Sequence, residues 1–189
     1  MIASANGNRL QIVAAFRERD AVQCVRRVAS MLRERGLTNF VSADAGGIGG
    51  PMCAQLSSDF GIYVTRVNNG SPARKKDEFA NADAEKWFAF RRLLEKREVI
   101  LPVDGELLKQ LSSRRLQYDS KARIQLEPKE SMRARGLSSP DRADAVIGAA
   151  TASLAGLSGA VTAETLAGIR FGPPRGGRAR FEWEPLTFD

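Results

Sequence analysis

Asp44 closes a short apolar stretch and opens a turn that holds Gly46, Gly47, Gly49 and Gly50. Far along the chain, Asp141 and Asp144 stand three positions apart at the head of an alanine-rich apolar segment. Carboxylates at a strand end and in the first turns of a helix can hold a hard divalent cation through oxygen. Mg²⁺ or Mn²⁺ held in this way supports phosphoryl chemistry, and glycines beside the acid let a backbone or a phosphate approach closely. Each acid also has a plainer use. Asp44 could bond its own loop amides as a turn aspartate, and Asp141 in a first turn is favoured by the helix dipole alone. Asp144 is harder to dismiss. It falls in the second turn among Ala143, Ala145, Val146 and Ile147, where a carboxylate on a core-like face needs a partner. The candidate catalytic and metal-ligating residues are therefore Asp44 and Asp144, with Asp141 at the same edge.

The chain of 189 residues contains no histidine. That removes Ser-His-Asp and Cys-His nucleophile systems, His-ligated zinc and haem, and any histidine acid or base. The two cysteines, Cys24 and Cys53, match neither a disulfide framework nor a zinc site, so a reduced, cytoplasmic setting is expected. The glycine turn lacks the Gly-Lys-Ser/Thr ending of a Walker loop and the G-x-G-x-x-G register of a dinucleotide fold. An α/β small-molecule binder using that turn for a phosphate is thus disfavoured, and no small-molecule cofactor is expected. No apolar run reaches the roughly 20 residues that would span a bilayer.

Apolar residues at 43% and charged residues at 27% are ordinary for one folded domain. Lys and Arg number 29 against 22 Asp and Glu, a formal charge of +7. A polyanionic partner would explain the excess, because basic side chains neutralise phosphates and release counterions. A basic but otherwise ordinary surface would explain it equally well. The positives are scattered as pairs, and the loop Asn68–Asp77 carries Arg74, Lys75 and Lys76.

Several elements must position these residues. Asn6-Gly7-Asn8 predicts a hairpin turn between Ile2–Ser4 and Leu10–Phe16. Asp20 is the expected N-cap of an amphipathic helix over Ala21–Arg35, ended by Gly36. Asn39–Ala43 reads as a buried strand, residues from Pro51 to Asp59 as a helix, and Ile62–Val67 as the next strand. This alternation predicts an α/β fold with a parallel crossover. Asn81 should cap a helix over Ala82–Lys96, whose Trp87, Phe88 and Phe90 are expected in the core. A short helix over Glu106–Leu116 and a polar hairpin around Asp119-Ser120 should follow. The last helix should start with Ser139 as N-cap and Pro140 in its first position, running to about Leu154. From Gly156 a basic Gly/Pro/Arg tail is expected, so the domain boundary falls near 154, with 155–189 as tail.

One ordered series of motifs is more specific. It comprises Asp44-Ala-Gly-Gly-Ile-Gly, then Phe79-Ala-Asn81-Ala-Asp-Ala-Glu85-Lys-Trp87, then Leu101-Pro102 with Leu108 and Leu111. Leu126-Glu-Pro-Lys129-Glu and Ser139-Pro-Asp-Arg-Ala-Asp144-Ala complete it. From Leu10 to Leu154 this series resembles the C-terminal nuclease domain of tailed-phage terminase large subunits. The resemblance implies a ribonuclease H-like mixed sheet flanked by helices, and cleavage of concatemeric viral double-stranded DNA during genome packaging. It implies acidic residues binding two divalent metals, Mg²⁺ or Mn²⁺, with Asp44 matching the second acidic ligand and Asp144 the ligand on the last helix. Asp141 would be an accessory at the same edge, and Lys129 lies in a region that could face DNA, as could Arg74, Lys75 and Lys76. Portal and small terminase subunit would be partners of the full-length subunit in the host cytoplasm. The family's first catalytic aspartate, on strand one, has no counterpart, because residues 1–17 contain no Asp or Glu. The chain is therefore expected to start at strand two, without that ligand and without the preceding ATPase domain. A shortened prophage gene and a misplaced start codon would both give this. The alternative function is a catalytically inactive ribonuclease H-like remnant that still binds DNA.

Overall fold

A computed structural model describes residues 1–38 and 41–153. The chain opens with an antiparallel hairpin of β1 (Ile2–Asn6) and β2 (Arg9–Ala14), turned at Gly7 with φ 57°. That positive φ is the conformation glycine adopts without steric cost. The free edge of β2 is taken by Ile100, which accepts from Leu10 N at 3.0 Å and donates to the Asn8 carbonyl at 2.9 Å. Helix α1 (Ala21–Glu34) begins where the Asp20 carboxylate accepts from Val22 N and Gln23 N at 2.8 and 3.0 Å. Its Val25, Ala29 and Leu32 are spaced to share one face, and that face is buried.

Strand β3 (Val41–Asp44) pairs in parallel with β4 (Val64–Val67), Asp44 opposite Val67, and helix α2 (Gly49–Phe60) makes the crossover. Val25, Ala29 and Leu32 of α1 pack there with Cys53, Leu56, Ile62 and Val64. A second core gathers Leu10, Phe79, Trp87, Phe90, Leu107, Val146 and Ile147. It joins the hairpin to helices α3 (Ala82–Glu95), α4 (Gly105–Ser113) and α6 (Asp141–Ser153). Between α4 and α6 lie the short antiparallel pair β5 (Leu116–Tyr118) and β6 (Ile124–Leu126), then α5 (Lys129–Ala134). Ala143, Val146, Ile147 and Ala150 are all buried, and this small-residue face lets α6 pack on β1, β2 and β3 together.

The α/β class and the parallel crossover are as expected, with several differences of detail. Among the described residues, strand pairing falls into three two-stranded ladders, β1–β2, β3–β4 and β5–β6, in place of one continuous sheet. Among the described residues no ladder joins β1 to β3, and α6 bridges the two pairs by packing alone. The helix predicted to reach Leu116 stops at Ser113, because Leu116 is committed to β5, and α5 was not anticipated. At the head of α6, the Pro140 carbonyl accepts from Asp144 N at 2.8 Å, so Pro140 precedes the first helical residue. The Ser139 hydroxyl bonds the Asp141 carboxylate at 2.6 Å instead of a helix amide. The free amides of Arg142 and Ala143 are met by Gln110 Oε1 of α4 at 2.8 and 3.2 Å, a cap supplied from another element. Leu154 and the tail 155–189 lie outside the described residues. No helix among the described residues is long and apolar enough to cross a membrane.

Glu127 fastens the β5–β6 pair to α5. Its buried carboxylate takes two hydrogen bonds from the Arg135 guanidinium and one from Arg115 N at 3.2 Å. The Arg135 hydrogen bond is the main cause that holds its pKa below the ordinary 4.5, against the cost of burial. A depressed carboxyl pKa gives stability that is present above the unfolded value and lost as pH falls through the folded one. Urea unfolding of Glu127→Gln should therefore show a deficit at pH 7 that shrinks steadily below about pH 4.5. A deficit independent of pH would contradict this.

Candidate metal centre

Asp44 stands exposed at the C-terminal end of β3. Its Oδ1 accepts from Gly46 N and its Oδ2 from Asn69 Nδ2, each at 3.0 Å, so one oxygen closes the turn and the other is oriented from the loop after β4. Asn69 in turn accepts from the Lys86 ammonium of α3. Gly49 is required here by space: a Cβ on it would lie 2.0 Å from the Asp44 carbonyl oxygen. Gly49→Ala should thus destabilise the domain by about 1–3 kcal/mol and dislodge the Asp44 turn. Thermal unfolding checks this, and a midpoint equal to wild type would refute the tight turn.

Asp144 lies in the first turn of α6 and not in the second as expected, because the helix begins at Asp141, and its side chain is only 19% exposed. Its two oxygens face different partners. Oδ1 accepts from the Trp87 indole Nε1 at 3.2 Å, while Oδ2 is ion-paired with Lys129 Nζ at 2.7 Å. Arg114 Nη1 lies 3.8 Å from Oδ1, and Arg114 Nη2 holds Asp83 Oδ2 at 3.0 Å. Burial pushes the Asp83 carboxyl pKa up, opposed by Arg114 and reinforced by the negative charge of Asp144. Burial likewise pushes the Lys86 ammonium pKa down, against the carboxylates of Asp83, Asp144 and Asp44, which all act on it. One lysine therefore feels both sequence-predicted acids, from β3 and from α6.

The remaining candidates fall as follows. Asp141 is exposed in the first turn of α6 and bonds Ser139, in keeping with its dipole-favoured position. Lys129, expected at a DNA-facing position, engages Asp144 directly. The backbone amides of Arg74 and Lys75 donate to the Glu85 carboxylate, which pins their loop to α3, and Lys75 Nζ pairs with Glu78 at 3.4 Å. The Lys76 carbonyl accepts from Arg123 at 3.4 Å. Sequence reasoning missed Asp83, Lys86 and Arg114, and took Trp87 for core alone. The first two and Trp87 occupy positions i, i+3 and i+4 of one helix, a spacing that puts them on one face. Arg114 left no comparable signal.

Carboxylate oxygens without histidine or thiolate partners are the donor chemistry of Mg²⁺ and Mn²⁺. Asp44 at the end of β3 and Asp144 near the head of α6 each offer such donors. Among the described residues, no group of three or more Asp, Glu, Cys or His is arranged to hold a metal ion. The donor chemistry of Asp44 and Asp144 is that of a hard divalent cation, and neither is part of a larger ligand group among the described residues.

A hairpin, a parallel pair with a carboxylate at its C-terminal end, and a closing helix with a second carboxylate make up a ribonuclease H-like α/β fold, and comparison with solved structures bears this out. The chain is similar to the nuclease domain of the large terminase subunit gp2 of bacterial virus Sf6. The TM-score is 0.68 at 17% identity, over 78% of this chain and 79% of that one. A lysine-to-alanine mutant of that domain with manganese gives 0.68 at 18% identity, over 78% and 80%. The same mutant with manganese and beta-thujaplicinol gives 0.69 at 17%, over 78% and 79%. At such identities the likeness establishes the fold. By sequence, no family model and no curated protein matches the chain.

Proposed function

We propose that residues 1–154 are a terminase-type nuclease domain, followed by a basic tail over 155–189. In this reading the domain serves metal-dependent endonucleolytic cleavage of concatemeric viral double-stranded DNA during genome packaging. The observation that carries it is that Asp44 and Asp144, from elements remote in sequence, are both tied to neighbouring residues of α3: Asp44 through Asn69 to Lys86, and Asp144 directly to Trp87. Asp44 and Asp144 hold Mg²⁺ or Mn²⁺, with Asp141 as an accessory at the same edge. A divalent cation there supplies an activated water and neutralises charge on the leaving oxygen. Asn69 orients Asp44, and Lys129 pairs with Asp144 Oδ2, the oxygen that would hold a cation in its place. Lys129, Arg74, Lys75 and Lys76 contact DNA phosphates. Portal and small terminase subunit are the partners in the full-length subunit, acting in the cytoplasm of the bacterial host.

A second reading is a ribonuclease H-like remnant that binds DNA without cutting it. It is favoured because, among the described residues, no group of three or more Asp, Glu, Cys or His is arranged to hold a metal ion. Both readings require duplex binding through scattered phosphate contacts, with no preference for sequence. If all four of those cations contact phosphate, affinity should fall roughly a hundredfold between about 50 and 200 mM salt. Titrating duplexes of different sequence at several salt concentrations checks this. Affinity indifferent to salt, or strong preference for one sequence, would count against both readings. Metal-dependent nicking of plasmid DNA then separates the first from the second.

A further inference from the structure

Arg114, between α4 and β5, has a side chain only 6% exposed. Three contacts fix it: Nη2 to Asp83 Oδ2 at 3.0 Å, Nε to the Glu127 carbonyl at 3.2 Å, and the guanidinium 5.1 Å from the Trp87 ring centroid. The remaining nitrogen, Nη1, is buried and has no hydrogen-bond partner. It lies 3.8 Å from Asp144 Oδ1, within ion-pair range but too far for a hydrogen bond. The same Oδ1 accepts from Trp87, whereas Oδ2 faces outward to Lys129.

We propose that Arg114 is a positioning residue for Asp144: with Trp87 it holds Oδ1 from the inside and so aims Oδ2 at the divalent cation. The inference rests on the nuclease reading for the identity of what Oδ2 meets. The planar fork matters, because Nη1 and Nη2 diverge toward two carboxylates while the guanidinium lies against an aromatic ring. A lysine would put the charge near the same place but could not serve both directions at once. Asp83 then has a defined task, which is to pin Nη2 so that Nη1 points at Asp144.

Electrostatics and positioning predict opposite signs. Removing a buried positive charge beside Asp144 should tighten cation binding if charge alone matters. If Arg114 aims the carboxylate, its loss should weaken binding about tenfold or more, as loss of partners that orient metal ligands does. The experiment measures Mn²⁺ binding to the full chain by isothermal titration calorimetry for wild type, Arg114→Gln, Arg114→Lys and the exposed control Arg91→Gln. The indole N–H resonance of Trp87, assigned with Trp87→Phe, is followed by NMR in the same proteins without metal. The expected result is weaker Mn²⁺ binding in both Arg114 variants, no change in Arg91→Gln, and a shifted Trp87 indole resonance in both Arg114 variants. Unchanged or tighter Mn²⁺ binding in Arg114→Gln would overturn the proposal while leaving the nuclease reading in place. If wild type binds no Mn²⁺, the nuclease reading fails and the indole resonance decides alone. A shift then supports the inner hold on Oδ1, and an unmoved resonance overturns it. Should Arg114→Gln not fold by circular dichroism, Arg114→Lys carries the same two outcomes.

Discussion

Asp144→Asn is expected to weaken Mn²⁺ binding by more than about a hundredfold, at or beyond the top of the range seen when only a ligand's orienting partner is lost. The substitution keeps the shape of the side chain and can keep an oxygen on the Trp87 indole. It replaces the outward oxygen, now ion-paired with Lys129, by an amide that offers hydrogens in place of lone pairs. The loss is therefore chemical, with little change of packing. Asp141→Asn is the natural comparison. Its carboxylate is exposed and bonds Ser139, so Mn²⁺ affinity should change by less than about threefold, the scale of a screened exposed charge. Calorimetric titration of both variants checks the pair, and equal losses would show that Asp144 has no special standing.

Cleavage by residues 1–189 alone is expected to be weak. Two-metal cleavage needs a carboxylate shared between the ions, and Mg²⁺ keeps most of its waters when few carboxylates are offered. Asp44 and Asp144 come from β3 and α6, and among the described residues no group of three or more acids is arranged to hold a metal ion. The strand pairing suggests where a further acid could enter. β1 is paired with β2 on one edge and β3 with β4 on one edge, while α6 spans both pairs. A chain extended upstream of Met1 by a strand carrying an aspartate should pair between them. Plasmid nicking in Mn²⁺ or Mg²⁺ should then rise by at least about a hundredfold, the scale on which one electrostatic stabiliser acts. Robust cutting by residues 1–189 alone, abolished by Asp144→Ala, would mean that a complete ligand set already lies within this chain.

Much of this could be read from local sequence, because local features answer to local rules. The hairpin at Gly7, the caps Asp20 and Asn81, the parallel crossover and the placement of Asp44 each depend on neighbours a few residues away. Asp144 was legible because a carboxylate on a buried, small-residue face demands a partner, and it has three, Trp87, Lys129 and Arg114. What escaped was long-range. Gln110 caps α6 from a different helix, and Arg114 reaches Asp83 and Asp144 from an inter-element junction that no periodicity marks. Helix α5 is six residues long, too short for an apolar period to declare itself. The separation of β1–β2 from β3–β4 is likewise a property of pairing and leaves no trace in either strand's own sequence.

Anomalous diffraction at the manganese edge, from crystals of the chain grown with Mn²⁺, tests most directly whether Asp44 and Asp144 form one metal centre. The expected result is a manganese peak within coordinating distance of Asp144 Oδ2 and facing the Asp44 carboxylate, with Lys129 moved away from Asp144. A peak elsewhere on the surface, with the Lys129–Asp144 ion pair intact, would contradict it.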